Sequence, residues 1–179
     1  MAIKEELDGA EWTGWPEELR NPTEESRSLW EEKLAGGIAY QKFLQYLFYT
    51  QWYRLKQYAN DRGIAIIGDI PIFVSPDGAD VWANRELFQV TKEGYPSVVA
   101  GVPPDYFSAT GQKWGNPLYD WKAHKKDRYQ WWIARIRHQL NQVDYLRIDH
   151  FRGFDAYWEV AVDAETAMEG VWRKGPGAD

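Results

Sequence analysis

Cysteine is absent from the 179 residues. That excludes a disulfide framework, a thiolate nucleophile and a zinc ribbon, and it fits a reducing compartment. No apolar run approaches the roughly 20 residues needed to cross a bilayer. The opening "MAIKEELDGAEW" is acidic and lacks the basic and apolar regions of a signal peptide. A soluble, cytoplasmic protein is expected. Histidine occurs only at 124, 138 and 150, never at metal-ligand spacing, so a metal site is not expected. No Ser, His and Asp grouping suggests a triad, and "GDIPIF", with one Gly followed by Pro, offers no phosphate cradle. Nothing calls for a cofactor.

A basic stripe is missing too. Net charge is −6, and the imbalance is local: residues 1–35 hold ten acids against four bases, and 36–179 hold seventeen of each. Without clustered cations to neutralise phosphates, nucleic acid is a poor partner. A neutral polar ligand fits better.

What the chain has in excess is rings. Aromatic residues make up 16%, with 11 Trp and 11 Tyr, more than a core of this size needs. Residues 1–37 read as an acidic arm of loop and short helix, with Pro16 at a first helical position and Glu17 and Glu18 in the first turn. After Gly36 and Gly37, the positions Leu44, Leu47, Phe48, Trp52, Leu55, Tyr58 and Ala59 trace one helix face, which Gly63 ends. "IAII" at 64–67 reads as a strand buried on both faces. Periodicity is lost from 74 to 120, too long and ring-rich for an ordinary connection. A second helix follows over Tyr129, Trp132, Ile133, Ile136, Leu140 and Val143, leading into a second strand, "YLRI". Helix and strand in alternation imply an α/β fold with a parallel sheet.

In such folds chemistry collects at the C-terminal ends of strands. Asp69 follows "IAIIG", and Asp149 and His150 follow "YLRI". Strand alternation puts Tyr145, Arg147 and Asp149 on one face, with Arg147 and Asp149 about 6 to 7 Å apart along the backbone, close enough to pair. An oriented carboxylate of this kind can act as a nucleophile; an Arg–Asp pair that merely fixes a loop uses the same residues. In "GVPPDYFSATGQKWGNPLYDW", prolines stiffen the loop and glycines permit sharp turns, so Tyr106, Phe107 and Trp114 can be presented outward to the apolar faces of sugars. A small core closing over itself would use the same rings.

"GDIPIFVSPDGADVWANRELF", "GVPPDYFSATGQKWGNPLYDW", "YLRIDHFRGFDAYWEV" and "DAETAMEG" together resemble the amylomaltases, the 4-α-glucanotransferases of the wider α-amylase superfamily, from about residue 12 to the end. The resemblance implies a retaining transferase on a (β/α)₈ TIM barrel. Members of the family cut an α-1,4 bond, hold the glucan on a carboxylate and pass it to the 4-hydroxyl of another sugar, glucose or maltose serving as acceptor. It implies Asp149 as nucleophile, with Arg147 and His150 flanking it. Asp69 would contact sugar, Tyr106, Phe107 and Trp114 would lie on a flexible loop covering the glucan, and Asn116 follows in the same "WGNP". Expected partners are α-1,4-glucans and maltooligosaccharides, in starch or glycogen metabolism; a plastid is the alternative compartment for a plant source.

One departure stands out. The family's acid/base Glu lies on the strand after "RIDHF" and its transition-state-stabilising Asp later still, whereas this sequence ends at "KGPGAD"; Glu159 matches the "YWEV" position instead. An incomplete barrel is therefore expected, with about two of eight strands, an arm at 1–37, a partial catalytic region at 38–179 and the insertion 74–120. This piece by itself is expected to be inactive. The competing readings are a glucan hydrolase of the same superfamily and a maltooligosaccharide-binding remnant without catalysis. The assignment expects Asp149 to project into an enclosed hollow with Arg147 beside it.

Overall fold

The computed structural model describes residues 1–178. The chain is mixed α/β and divides into two units, one comprising Met1–Ile67 with Gln142–Tyr145, the other Gly68–Asn141 with the residues from Leu146 onward.

The first unit is helical. Helices α1 (Ala2–Glu6), α2 (Glu17–Arg20), α3 (Glu24–Lys33) and α4 (Ala35–Asn60) follow one another. Pro16 caps α2 from outside instead of occupying its first turn. A reciprocal cap starts α3: the Ser26 amide donates to Thr23 Oγ1 at 3.1 Å and the Thr23 amide donates to Ser26 Oγ at 3.0 Å, satisfying two donors that a helix start leaves unpaired. Around these short helices Trp12, Trp15, Leu19 and Leu34 are buried. Gly36 and Gly37 lie inside the first turn of α4 and do not precede it, and Gly63 falls just past its end with φ +72°. The helix face read from the sequence is present, yet none of its residues is buried. Its rings stack along the helix instead, Phe48 on Trp52 and Tyr49 on Tyr53.

Asp144 ties this unit together. Its Oδ2 accepts from the Ile66 amide and from Asn60 Nδ2, both at 2.8 Å, and Lys56 Nζ approaches Oδ1 at 3.3 Å. Trp52 Nε1 donates to the Gln142 carbonyl at 2.8 Å. The Ile66 amide, followed by Asn60 and Lys56, holds the Asp144 carboxyl below the usual carboxylate range.

In chain order, the remaining elements are β1 (Ile67–Pro71), α5 (Ala79–Ala83), β2 (Val98–Val102), β3 (Gln112–Pro117), α6 (Trp121–Lys126), α7 (Gln130–Gln142), β4 (Tyr145–Asp149), β5 (Ala156–Ala161) and β6 (Val171–Lys174). Strands β1 and β4 pair as a two-stranded sheet, and β3-β2-β5-β6 form a second, antiparallel sheet. The first strand starts at Ile67, three residues later than the apolar run suggested, and Ile64 and Ile67 are exposed instead of buried on two faces. The antiparallel sheet adds to the helix and strand alternation expected, and two of its four strands, β2 and β3, come from the segment 74–120 that shows no periodicity.

Two cores fill the second unit. Val99, Val160 and Ala167 form an apolar cluster against the antiparallel sheet. Tyr119 centres an aromatic one, ringed by Phe73, Phe88, Trp121, His124, Trp131 and Trp132 at centroid separations of 4.9–6.0 Å. Its hydroxyl donates to the Ile72 carbonyl at 2.6 Å and accepts from Arg135 Nη1 at 3.2 Å, as a buried phenol requires. Burial pushes its pKa up against the pull of Arg135. His124 is fully buried among these rings. Burial lowers its pKa, outweighing the Leu87 carbonyl and the carboxylates of Asp120 and Asp127, which act in the opposite sense.

His124 and Asp144 set an acid response in separate windows. The unfolded chain protonates His124 near its ordinary pKa of about 6.5 while the folded chain does not. Stability is therefore greatest above that pH and falls as pH drops through it toward the lowered folded value. Asp144 contributes above about pH 3.9, and that contribution is lost as pH falls through its depressed folded pKa. Urea unfolding followed across pH is expected to show both losses, with His124→Leu flattening the upper window and Asp144→Asn the lower. Unchanged profiles in both variants would contradict the assignment.

Candidate active site

β4 shows the alternation expected of it: Tyr145, Arg147 and Asp149 are exposed, while Leu146 and Ile148 are half-buried. Asp69 lies inside β1 and not after it, on the face opposite the buried Ile70. The pairing of β1 with β4 brings three charges together. Arg147 Nη1 donates to Asp69 Oδ2 at 3.2 Å, and Arg147 Nη2 donates to Asp149 Oδ1 at 2.5 Å. One guanidinium thus holds carboxylates from two strands, a use suited to its rigid, planar set of donors. The enclosure expected around Asp149 is absent among the described residues: these side chains are 54–62% exposed.

The strand ends at Asp149 because His150 turns out of it with φ 53°, ψ 43°, leading into a 3₁₀ turn over Phe151–Phe154. That left-handed residue takes the ring off the alternating pattern. The imidazole meets Trp114 edge to face, with centroids 4.9 Å apart, and Phe73 at 6.4 Å. Burial lowers the His150 pKa, with Arg152 assisting and Asp149 opposing, so the ring is neutral at pH 7.

Trp114 reaches His150 through an irregularity in β3. Gly101 pairs with Lys113 and Val99 with Pro117, so the one β2 residue between them, Ala100, is opposed by three of β3. The bulge contains Trp114, Gly115 and Asn116, and Gly115 has φ +79°, a conformation that favours glycine. Bulges re-aim side chains next to functional sites. Trp114 is 38% exposed, with Nε1 donating to Gln112 Oε1 at 3.1 Å. Asn116 Nδ2 donates to the Val74 carbonyl at 2.8 Å, tying the bulge to the segment that follows β1.

Tyr106 and Phe107 are not part of this cluster. They stand in solvent, 98% and 89% exposed, packed edge to face on each other. Sequence reasoning missed Phe73, which is buried and contacts Trp114, Tyr119 and His150. The only sign of it was the continuation of the apolar run as "PIFV" after Asp69. It also missed Gly153, where a Cβ would lie 2.7 Å from Ile72 Cδ1 and 3.5 Å from His150 Cδ2. Chemically, the cluster offers an oriented carboxylate, a second carboxylate on the same cation, and a neutral imidazole backed by rings.

A family model described as 4-alpha-glucanotransferase matches residues 1–179. The 4-alpha-glucanotransferase of Aquifex aeolicus is 51% identical over 177 residues, covering 99% of this chain and 36% of that protein. The enzyme of the same name from Streptococcus pneumoniae serotype 4 is 49% identical over 99% of this chain and 35% of its own length. Among solved structures, the amylomaltase from Streptococcus agalactiae in complex with acarbose superposes with a TM-score of 0.94 at 47% identity, over 99% of this chain and 36% of that one. The chain thus spans about a third of the length of the relatives it matches. By the reach of the family model and the level of these identities, the chain belongs to the 4-α-glucanotransferase family.

Proposed function

We propose that these residues are part of a retaining 4-α-glucanotransferase in which Asp149 is the nucleophile. The observation that carries the reading is the Arg147 guanidinium shared between Asp69 and Asp149, with His150 next in sequence and its ring set against Trp114. Arg147 engages Oδ1 of Asp149, which orients the carboxylate and leaves Oδ2 to attack C1 of the sugar on the donor side of the α-1,4 bond. That attack forms a glycosyl ester as the leaving 4-oxygen takes a proton from a second carboxyl, about 5–5.5 Å across the bond in a retaining enzyme. The 4-hydroxyl of an acceptor, glucose or maltose in the simplest case, then gives its proton back to that second carboxylate, attacks the same carbon and breaks the ester bond to free Asp149. His150 and Arg147 flank the reacting sugar, Asp69 and Asn116 contact it, and the rings of Trp114, Tyr106 and Phe107 stack on the glucan while excluding water.

The second carboxyl is proposed to come from outside these 179 residues, so they alone are expected to lack turnover. The same reading makes them an incomplete (β/α)₈ barrel, in which the acidic arm 1–37 precedes a catalytic region over 38–179 whose insertion 74–120 carries the rings. The exposed apolar face of α4, with Tyr40, Phe43, Leu44, Leu47 and Phe48 all open to solvent, supports it, since such faces are normally covered. No helix among the described residues is long and apolar enough to cross a membrane. We place the protein in the cytoplasm, or the plastid of a plant source, acting on starch- or glycogen-derived maltooligosaccharides. The acarbose held by the Streptococcus agalactiae amylomaltase is proposed as a ligand here too.

Maltotriose is the test substrate. The natural full-length protein carrying these residues is expected to convert it into a ladder of longer and shorter maltooligosaccharides, and Asp149→Asn to lose about 10³-fold or more of that rate. Release of reducing sugar without lengthening would favour the hydrolase. Maltooligosaccharide binding lost with Trp114→Ala but unaffected by Asp149→Asn, with no products formed, would favour the binding remnant. A ladder made by the 179 residues alone would show that the second carboxyl is among them.

A further inference from the structure

The loop joining β2 to β3 carries Tyr106 and Phe107 almost wholly in solvent, yet its tip is internally ordered. Asp105 Oδ1 accepts from the amides of Phe107 and Ser108, both at 2.9 Å, and the Asp105 amide donates to the Ser108 carbonyl at 3.0 Å. The Ser108 hydroxyl donates to the Gly111 carbonyl at 2.7 Å. These bonds fix the two rings relative to the tip, but they do not fix the tip relative to the sheet. That takes contacts with another element.

The connection between β5 and β6 supplies them. The Ala167 amide donates to the Thr110 carbonyl at 3.1 Å. Ala167 is itself buried in the Val99–Val160 cluster, and its carbonyl accepts from Trp158 Nε1 at 2.8 Å, so it is a firm seat. Gly111 lets the loop sit down on it: φ is +69°, and a Cβ there would lie 2.4 Å from the Val102 carbonyl oxygen and 3.0 Å from Ala167 Cβ. Two residues on, Lys113 Nζ donates to the Val162 carbonyl at 2.6 Å and the Ala164 carbonyl at 2.7 Å. Both are short, charge-assisted bonds, and they fall immediately before the bulge that aims Trp114 at His150.

We propose that Lys113 is a positioning residue. Its ammonium clamps the return strand of the ring-bearing loop onto the β5–β6 connection, and so sets where Tyr106, Phe107 and Trp114 stand against a bound α-glucan. The residue touches no sugar; it acts through the rings. This rests on the function proposed above for the aromatic loop. A cation with at least two donors is required to bridge both carbonyls, so Arg can substitute and an apolar isostere cannot.

The test uses the natural full-length protein and its Lys113→Met and Lys113→Arg variants, with two readouts. Amide exchange in peptides covering 103–112 and 162–168 is expected to speed up about tenfold in Lys113→Met and to return near the unsubstituted rate in Lys113→Arg. With maltoheptaose as donor, Lys113→Met is expected to raise KM about fivefold with kcat within about twofold, and Lys113→Arg to restore KM, the pattern of lost uniform binding. Unchanged exchange in Lys113→Met overturns the clamp. Loss of Tm, kcat and affinity together in both variants overturns the positioning role in favour of a general structural one. If the unsubstituted protein does not act on maltoheptaose, the functional reading fails and takes the glucan clause with it, while the exchange readout still decides the clamp.

Discussion

One guanidinium between two carboxylates is the interaction around which the site is arranged. Arg147 spans from β4 to β1, with one nitrogen on Asp149 and another on Asp69. The arrangement makes little sense as a stabilising device. Ion pairs this open to solvent contribute only about 0–1 kcal/mol each, and a strand end has easier ways to be capped. Under the proposed function it serves as orientation: a carboxylate held by a planar donor presents its remaining oxygen in one direction, as a nucleophile needs.

Around that charge Phe73, Trp114 and Tyr119 form a backing of rings. Phe73 is the buried piece that contacts Trp114, Tyr119 and His150, and Tyr119 is anchored in turn by the Ile72 carbonyl and Arg135. Arg135 also donates to the Pro71 carbonyl at 2.9 Å, so α7 grips the end of β1 as well as the ring core. The neutral imidazole of His150 is thus set by packing and backbone conformation more than by hydrogen bonds. The outer rings, Tyr106 and Phe107, are held differently, by a loop tip ordered within itself and seated on the β5–β6 connection.

The parts of this that could be read from the sequence are those with a clean period. β4 alternates, so its sequence alone puts Arg147 and Asp149 on one face. α4 and α7 carry helix-spaced apolar residues, and both form within a few residues of the expected bounds. β1 was displaced because its apolar run precedes the strand, so Asp69 looked like a strand end when it lies inside one. The antiparallel sheet was invisible for a physical reason: β3, "QKWGNP", mixes polar residues, Gly and Pro around a bulge, and bulges destroy the alternation by which strands are recognised. The meeting of Trp114 with His150 needs that bulge and a left-handed residue at 150, neither of which has a periodic signature. Motif resemblance located those residues; only the fold shows how they are brought into contact.

The most direct measurement is covalent trapping in the natural full-length protein with a fluorinated α-glucosyl fluoride that glycosylates the enzyme faster than it is released. Cleavage after Arg147 and Arg152 isolates Ile148–Arg152, which contains Asp149 as its only carboxylate side chain. The account predicts a glucosyl mass increment on that peptide at Asp149. An increment on a different carboxylate, or steady glucan transfer with no labelled peptide at all, would contradict it.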